Sequence, residues 1–334
     1  MSEQGPQDHS SVPQSLGARR TQGWSDEKHG HNPQGQKRRY SGPDLPEDIL
    51  CLIHFLMPLR DAARTACVSH AFLCSWRSRP DITFSRATLG LNNNLHGKDE
   101  IAKDFNNKVD HILRNRSGIG LRTLKIEFCG YSADTYSYLN SWLEIAITQQ
   151  LEELNLLMRP NKVKYSFPCS LLSKGSGNSI RHLGLAWCAF NTTVGLDCLK
   201  KLTSLHLCHV RITRDELGCL FSSSVTLEQL EFSNCHIIVC LKLPCLLQRL
   251  SSLRVFECRR LKRIQIKAPN ISSFQFSGMQ VELTVGESMQ LKDMMLMMEC
   301  TIPFACAKLP SIAPNLETLS LSANFKACTE SLGA

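Results

Sequence analysis

Aromatic residues make up only 7% of this 334-residue chain. No apolar run reaches the ~18 to 20 residues that a bilayer span requires. The strongest stretch, 237–247, is broken by Lys242 and Pro244, so no membrane partner is expected. Residues 1–11 are polar and lack the apolar core of a secretory leader. The three Asn-x-Ser/Thr sequons, at Asn115, Asn191 and Asn270, therefore carry no weight. Phosphate-cradling glycine loops of the G-x-x-x-x-G-K-S/T and G-x-G-x-x-G kinds are missing, as is H-E-x-x-H. His206, Cys208 and His209 lie close together, but no second ligand pair has the spacing of a structural zinc site. These absences leave no site for an enzyme and lead to the expectation of no cofactor and no metal.

Leucine, isoleucine and cysteine are plentiful. The 16 cysteines would suggest a disulfide framework in a small secreted chain. Here many fall inside apolar strand patterns, as at Cys129, Cys188 and Cys235, where free Cys acts as a small buried hydrophobe. That favours a reducing compartment, cytoplasmic or nuclear. The net charge of +8 is mostly dispersed. It is densest over 249–267, which holds Arg249, Arg254, Arg259, Arg260, Lys262, Arg263 and Lys267 against a single acid, Glu257. Arg254, Arg259, Arg260, Lys262 and Arg263 are candidates to grip an acidic or phosphorylated segment. The favoured alternative is a solvated face, and nucleic acid is the less favoured partner.

Four stretches follow from texture. Residues 1–42 are rich in Gln, Gly, Ser, Pro and charge. They cannot bury enough surface to offset ordering entropy, and are expected to be a disordered tail; its Lys37-Arg38-Arg39 could be a nuclear signal or merely solvated charge. Residues 43–90 form a small helical module. Asp44 can cap a first helix bearing Ile49, Leu50, Ile53 and Leu56; Pro58 ends it; a second helix fits 59–67, and Ser69 can cap a third through Trp76. Residues 91–120 supply a connecting amphipathic helix over 99–115, with Ile101, Phe105, Val109, Ile112 and Leu113 on one face.

From 121 to the end a motif recurs. Copies start at Leu121, Leu151, Ile180, Leu202, Leu227, Leu253, Ile271, Leu291 and Leu316, each following L-x-x-L-x-L. Cys129, Cys188, Cys235 and Asn324 stand at the offset where the chain turns out of the strand. Period and pattern are those of leucine-rich repeats, which run ~20 to 29 residues. The two apolar residues of L-x-L point to one side of a strand, and no repeat can bury that side alone. The spacing predicts an α/β leucine-rich-repeat solenoid, with parallel strands on the concave side, helices and loops on the convex side, and the long insertion 161–178 on a loop. Binding capacity would lie in the strand positions between the leucines.

The segments Leu45-Pro46-Glu47-Asp48-Ile49-Leu50, Met57-Pro58-Leu59-Arg60-Asp61, Cys67-Val68-Ser69-His70 and Trp76-Arg77 resemble an F-box. Joined to irregular leucine-rich repeats, they resemble plant F-box/leucine-rich-repeat proteins of the FBD type. The resemblance implies that the module docks on a Skp-type adaptor of a cullin–RING ubiquitin ligase while the repeats hold a protein target, with no bond chemistry in this chain. It carries adaptor contacts onto Leu45, Pro46, Ile49, Leu50, Leu59, Val68 and Trp76; for Val68 and Trp76 internal packing is an equal alternative. The rival readings are a scaffold without ligase association and a nucleic-acid binder using 249–267. The chain stops ten residues after Asn324, so a solenoid lacking its C-terminal cap is the expectation.

Overall fold

A computed structural model describes residues 45–91, 97–117, 120–128, 136–160, 164–173, 176–191, 199–286, 290–299 and 301–323. The described residues from Leu45 onward belong to one compact unit. The tail over 1–42, the cap residue Asp44, and the repeat positions Cys129 and Asn324 fall outside the described residues.

The module consists of α1 (Glu47–Leu56), α2 (Leu59–Ala66) and α3 (His70–Ser78). Pro46 and Pro58 sit at the N-caps of α1 and α2, with φ near −50°, the ring geometry that starts a helix without wasting an N–H. Ser69 takes the N-cap place of α3, but its side chain makes no capping bond, contrary to the sequence expectation. The core is thin and partly polar. His54 is fully buried, its Nε2 donating to the Ala62 carbonyl at 2.9 Å and its Nδ1 accepting from Ser75 Oγ at 3.0 Å. Since a carbonyl can only accept, the bond to Ala62 assigns the ring proton to Nε2.

Behind the module runs a ten-stranded parallel sheet. Its strands, in spatial order, are β1 (Asp81–Phe84), β2 (Thr123–Glu127), β3 (Glu153–Leu157), β5 (His182–Ala186), β7 (Ser204–Cys208), β8 (Gln229–Ser233), β10 (Ser252–Phe256), β12 (Ser273–Gly278), β14 (Asp293–Met298) and β15 (Thr318–Ala323). The second and fourth residues of nearly every strand are buried and in register, forming two apolar ladders. One runs Leu124, Leu154, Leu183, Leu205, Leu230, Leu253, Phe274, Met294; the other runs Ile126, Leu156, Leu185, Leu207, Phe232, Val255, Phe276, Leu296. Each such side chain contributes about 1.5–3 kcal/mol on leaving water, and each depends on its neighbours to do so.

This ladder corrects one repeat. The copy read as starting at Leu253 starts at Leu250: Leu253 and Val255 are the buried strand pair, while Phe256 lies on the other face. The signal was present as Leu250-x-x-Leu253-x-Val255-x-x-Cys258; Val255 in place of leucine hid it. The structure also adds a rung that no motif announced. Asp81–Phe84, inside the stretch assigned to the helical module, pairs with β2.

The opposite layer changes character along the chain. It opens with α4 (Lys98–Arg114), burying Ile101, Phe105, Val109 and Leu113, and α5 (Tyr136–Ala146), burying Leu139, Trp142 and Leu143. The insertion expected as loop contains β4 (Tyr165–Phe167), paired with β6 (Cys188–Phe190), and α6 (Cys169–Ser173). Next comes α7 (Arg214–Ser223), opened by a capping box between Thr213 and Glu216. Three strands then replace helices: β9 (Cys240–Leu243), β11 (Arg263–Ile266) and β13 (Glu282–Val285), in the order β13-β11-β9. The last back element is α8 (Thr301–Ile312). Residues 257–262 leave too little chain for a helix between β10 and β11, so the back forms a second strand there. No described helix is long and apolar enough to cross a membrane.

Candidate functional site

The first candidate surface is α1. Leu45, Ile49, Leu52, Ile53 and Leu56 recur at helical spacing, and all are exposed, Leu56 to 78%. Val68, at the α2–α3 turn, is 82% exposed. Monomeric proteins seldom leave such contiguous apolar surface in water. His54, on the other side of the same helix, points inward and anchors it.

The seven sequence-derived anchors therefore divide. Leu45, Pro46, Ile49 and Val68 are exposed and Leu50 is half-buried. Leu59 is only 8% exposed and belongs to the core, unlike the protruding side chains of α1. Trp76 is half-buried, packed on the core and edge-on to His54 at 6.4 Å between centroids. Leu52, Ile53 and Leu56 complete the stripe. All three lie on the helical period that starts at Ile49.

The module is tied to the solenoid by arginines. Arg79 donates to the carbonyls of His54 (3.1 Å), Phe55 (2.7 Å) and Met57 (2.9 Å), satisfying the C-terminal end of α1, and also to Asp81 O at 3.2 Å. Arg116, following α4, donates to Arg79 O at 2.6 Å. Burial lowers the guanidinium of Arg79, and lowers that of Arg116 to about 10, which leaves Arg116 charged at neutral pH. Arg122 forks onto the carboxylate of Asp81, and that hydrogen bond holds Asp81 below the usual carboxylate range.

The second candidate surface is the open face of the large sheet, set by the first, third and fifth residue of each strand. At its middle the third positions read Lys125, Asn155, Gly184, His206, Glu231, Arg254, Gln275. Glu231 takes His206 Nε2 at 2.9 Å and Arg254 Nη1 at 3.6 Å; Glu153 takes Lys125 Nζ at 2.8 Å and Asn155 Nδ2 at 2.7 Å. Between these groups lies a dimple of about 290 Å³ over Gly184, edged by His182, Ser204 and His206. A Cβ at Gly184 would stand 1.9 Å from Asn155 Oδ1, so the glycine creates the depression. At its middle the face is polar, and its cations Lys125 and Arg254 each stand against a carboxylate.

The basic stretch does not assemble into one patch. Arg254 lies on the open face, Arg259 and Arg260 in the turn after β10, and Lys262, Arg263 and Lys267 on the back beside or within β11. Arg249 pairs with Glu228 at 2.6 Å and Arg263 with Glu282 at 2.8 Å. β10 and β11 belong to different sheets, so residues close in sequence along this stretch stand on different surfaces. His206, Cys208 and His209 also separate. His206 joins Glu231, and His209 stacks on Trp187 with centroids 3.6 Å apart.

Comparison with known proteins places the fold in a family. The leucine-rich-repeat domain family described as At1g61320/AtMIF1 matches residues 112–332. The chain belongs to this leucine-rich-repeat family. Its curated relatives include an FBD-associated F-box protein, At1g66310, from Arabidopsis thaliana, 23% identical over 70% of this chain and 46% of its own length. Two more from the same plant are F-box/FBD/LRR-repeat protein At1g51370, 26% identical over 56% of this chain and 39% of its own, and F-box/LRR-repeat protein At3g03360, 24% identical over 68% and 45%. The resemblance to plant F-box/leucine-rich-repeat proteins is thereby borne out. The chain spans less than half the length of these relatives.

Proposed function

We propose that this protein is a non-catalytic substrate-recognition subunit of a Skp–cullin–F-box ubiquitin ligase, acting in the cytoplasm or nucleus. The apolar stripe of α1, with Val68, docks on the Skp-type adaptor. The open face of the large sheet holds the target. Docking raises the target's effective concentration near the ligase's catalytic partner, which is the whole of the chemistry this chain contributes. The observation that carries the reading is the row of exposed apolar side chains from Leu45 to Leu56 on a helix whose opposite side is pinned by His54. Such anchors supply most of the affinity in helix-mediated recognition. The arginine ties at Arg79 and Arg116 support it, since a rigid link fixes where the target is presented.

Co-purification of the full chain with a Skp-type adaptor tests the docking. Leu52→Asp with Leu56→Asp should abolish recovery of adaptor, and Leu45→Ala with Pro46→Ala should weaken it. The melting temperature should stay put, because these side chains are exposed. Unchanged adaptor recovery by both variants would reject the interface, and failure of the intact folded protein to bind any such adaptor would favour a scaffold without ligase association.

A further inference from the structure

We propose that the seam on the back of the solenoid, where helix α7 gives way to strands, binds a phosphate monoester carried on a small aromatic or apolar group. This site is independent of the adaptor reading. The back layer switches there from α7 to the edge strand β9 of the three-stranded sheet. A helix is ~10 Å across with its side chains, while strands space at ~4.8 Å. The two do not close flush, and a cavity of about 390 Å³ opens between them. On the helix side Arg214, Leu217, Gly218, Phe221 and Ser222 line it, which is one face of α7. On the strand side are the outward residues Lys242 of β9 and Gln265 of β11, neighbours in register, with Lys267 just beyond β11.

The chemistry follows from this lining. Three cations, Arg214, Lys242 and Lys267, line the cavity, and among the described residues no carboxylate does. Farther along the same sheet Arg263 is neutralised by Glu282; the seam cations have no such acid in the lining. Three positive charges call for a ligand with more than one negative charge. Phosphate supplies close to two at neutral pH, with oxygens that suit both the Arg fork and the Lys point charge. The buried side chains of Leu217 and Phe221 and the exposed Leu246 give an apolar floor, which a bare inorganic ion would leave unused. Volume falls within the range of small-ligand pockets. Of the basic run 249–267 only Lys267 reaches this cavity, and Arg214 and Lys242 come from outside it.

Gly218 offers a clean test. A Cβ there meets nothing within 4 Å, so Gly218→Leu should fill the cavity from the helix side, removing no charge and improving helix propensity. Titration calorimetry of the full chain with phenyl phosphate should give saturable one-to-one binding. Benzoate, with one charge, should bind about tenfold more weakly or worse. Gly218→Leu should lose phenyl phosphate while keeping or raising the melting temperature. Lys242→Ala with Lys267→Ala should weaken binding at least about tenfold, whereas Arg259→Ala with Arg260→Ala should leave it unchanged. A peptide with one phosphotyrosine, run beside phenyl phosphate, separates the sources. Tighter binding of the peptide assigns the group to a partner protein, and equal or weaker binding assigns it to a free organophosphate. Phenyl phosphate affinity that survives both the Gly218 and the Lys242/Lys267 variants, equal affinity for benzoate, or no saturable binding would overturn the proposal.

Discussion

At the residue scale the repeat is closed by a pair of neighbours, one strained and one buried. Trp187, His209, Asn234 and Glu257 each follow a strand with φ between 52° and 60°, although none is glycine. Left-handed backbone costs an ordinary residue ~1 kcal/mol or more. It is held because each N–H donates to the carbonyl of the next rung, as Trp187 does to Cys208 O at 2.9 Å and Asn234 to Phe256 O at 2.8 Å. The next residue in three of these rungs is a buried cysteine: Cys188, Cys235 and Cys258. Cys235 Sγ donates to Leu207 O of the preceding strand at 3.3 Å, the weak bond expected of Cys in place of Asn. Burial pushes the Cys188 thiol up to about 12. Iodoacetamide at pH 8, followed by peptide mass analysis, should therefore label the exposed Cys67, Cys219 and Cys245 and leave Cys188 unmodified in the folded protein. Gly184 makes a second residue-scale prediction. Gly184→Ala should cost about 1 kcal/mol by displacing Asn155 from Glu153. In an Asn155→Ala background the cost should largely vanish, as a urea double-mutant cycle would show.

At the element scale the joint between α1 and the sheet depends on Arg79. Its removal leaves three carbonyls at the end of α1 without that donor. Arg79→Ala should destabilise by about 1–3 kcal/mol, and hydrogen exchange should quicken in α1 well before it does in β7. The Asp81–Arg122 fork yields a pH prediction. The native Asp81 carboxyl is depressed by its hydrogen bond from Arg122. Its contribution is thus fully present above the unfolded value near ~3.9, and is lost as pH falls through the lower native value. Urea midpoints measured from pH 5 down to 2.5 should fall less steeply for Asp81→Asn than for the parent. Because the pair is largely exposed, its effect should shrink in 1 M salt.

At the scale of the molecule, stability should be graded along the stack. Interior rungs are covered on both sides, but the last described strand is not: Leu319 and Leu321 stand 44% and 36% exposed at the ladder positions that are closed elsewhere. Leu207→Ala, in the middle, should cost about 2–5 kcal/mol. Leu321→Ala should cost well under half as much. Chemical denaturation of the two variants reads the difference directly, and equal costs would contradict a nearest-neighbour stack.

Sequence by itself determined the repeating strand, its two inward positions, the parallel stack and the amphipathic helix α4, because these rest on local periodicity and on apolar side chains that cannot be buried any other way. It also marked most of the α1 stripe, since one helix carries it. Tertiary structure alone decided the rest. Leu59 was taken into the core, and Asp81–Phe84 became a rung only through pairing with β2. The basic run was divided between two sheets, while Arg214, Lys242 and Lys267, far apart in the chain, were brought to one cavity. Periodicity records which side of an element is buried; it carries no record of which elements become neighbours, because that follows from stacking whole rungs.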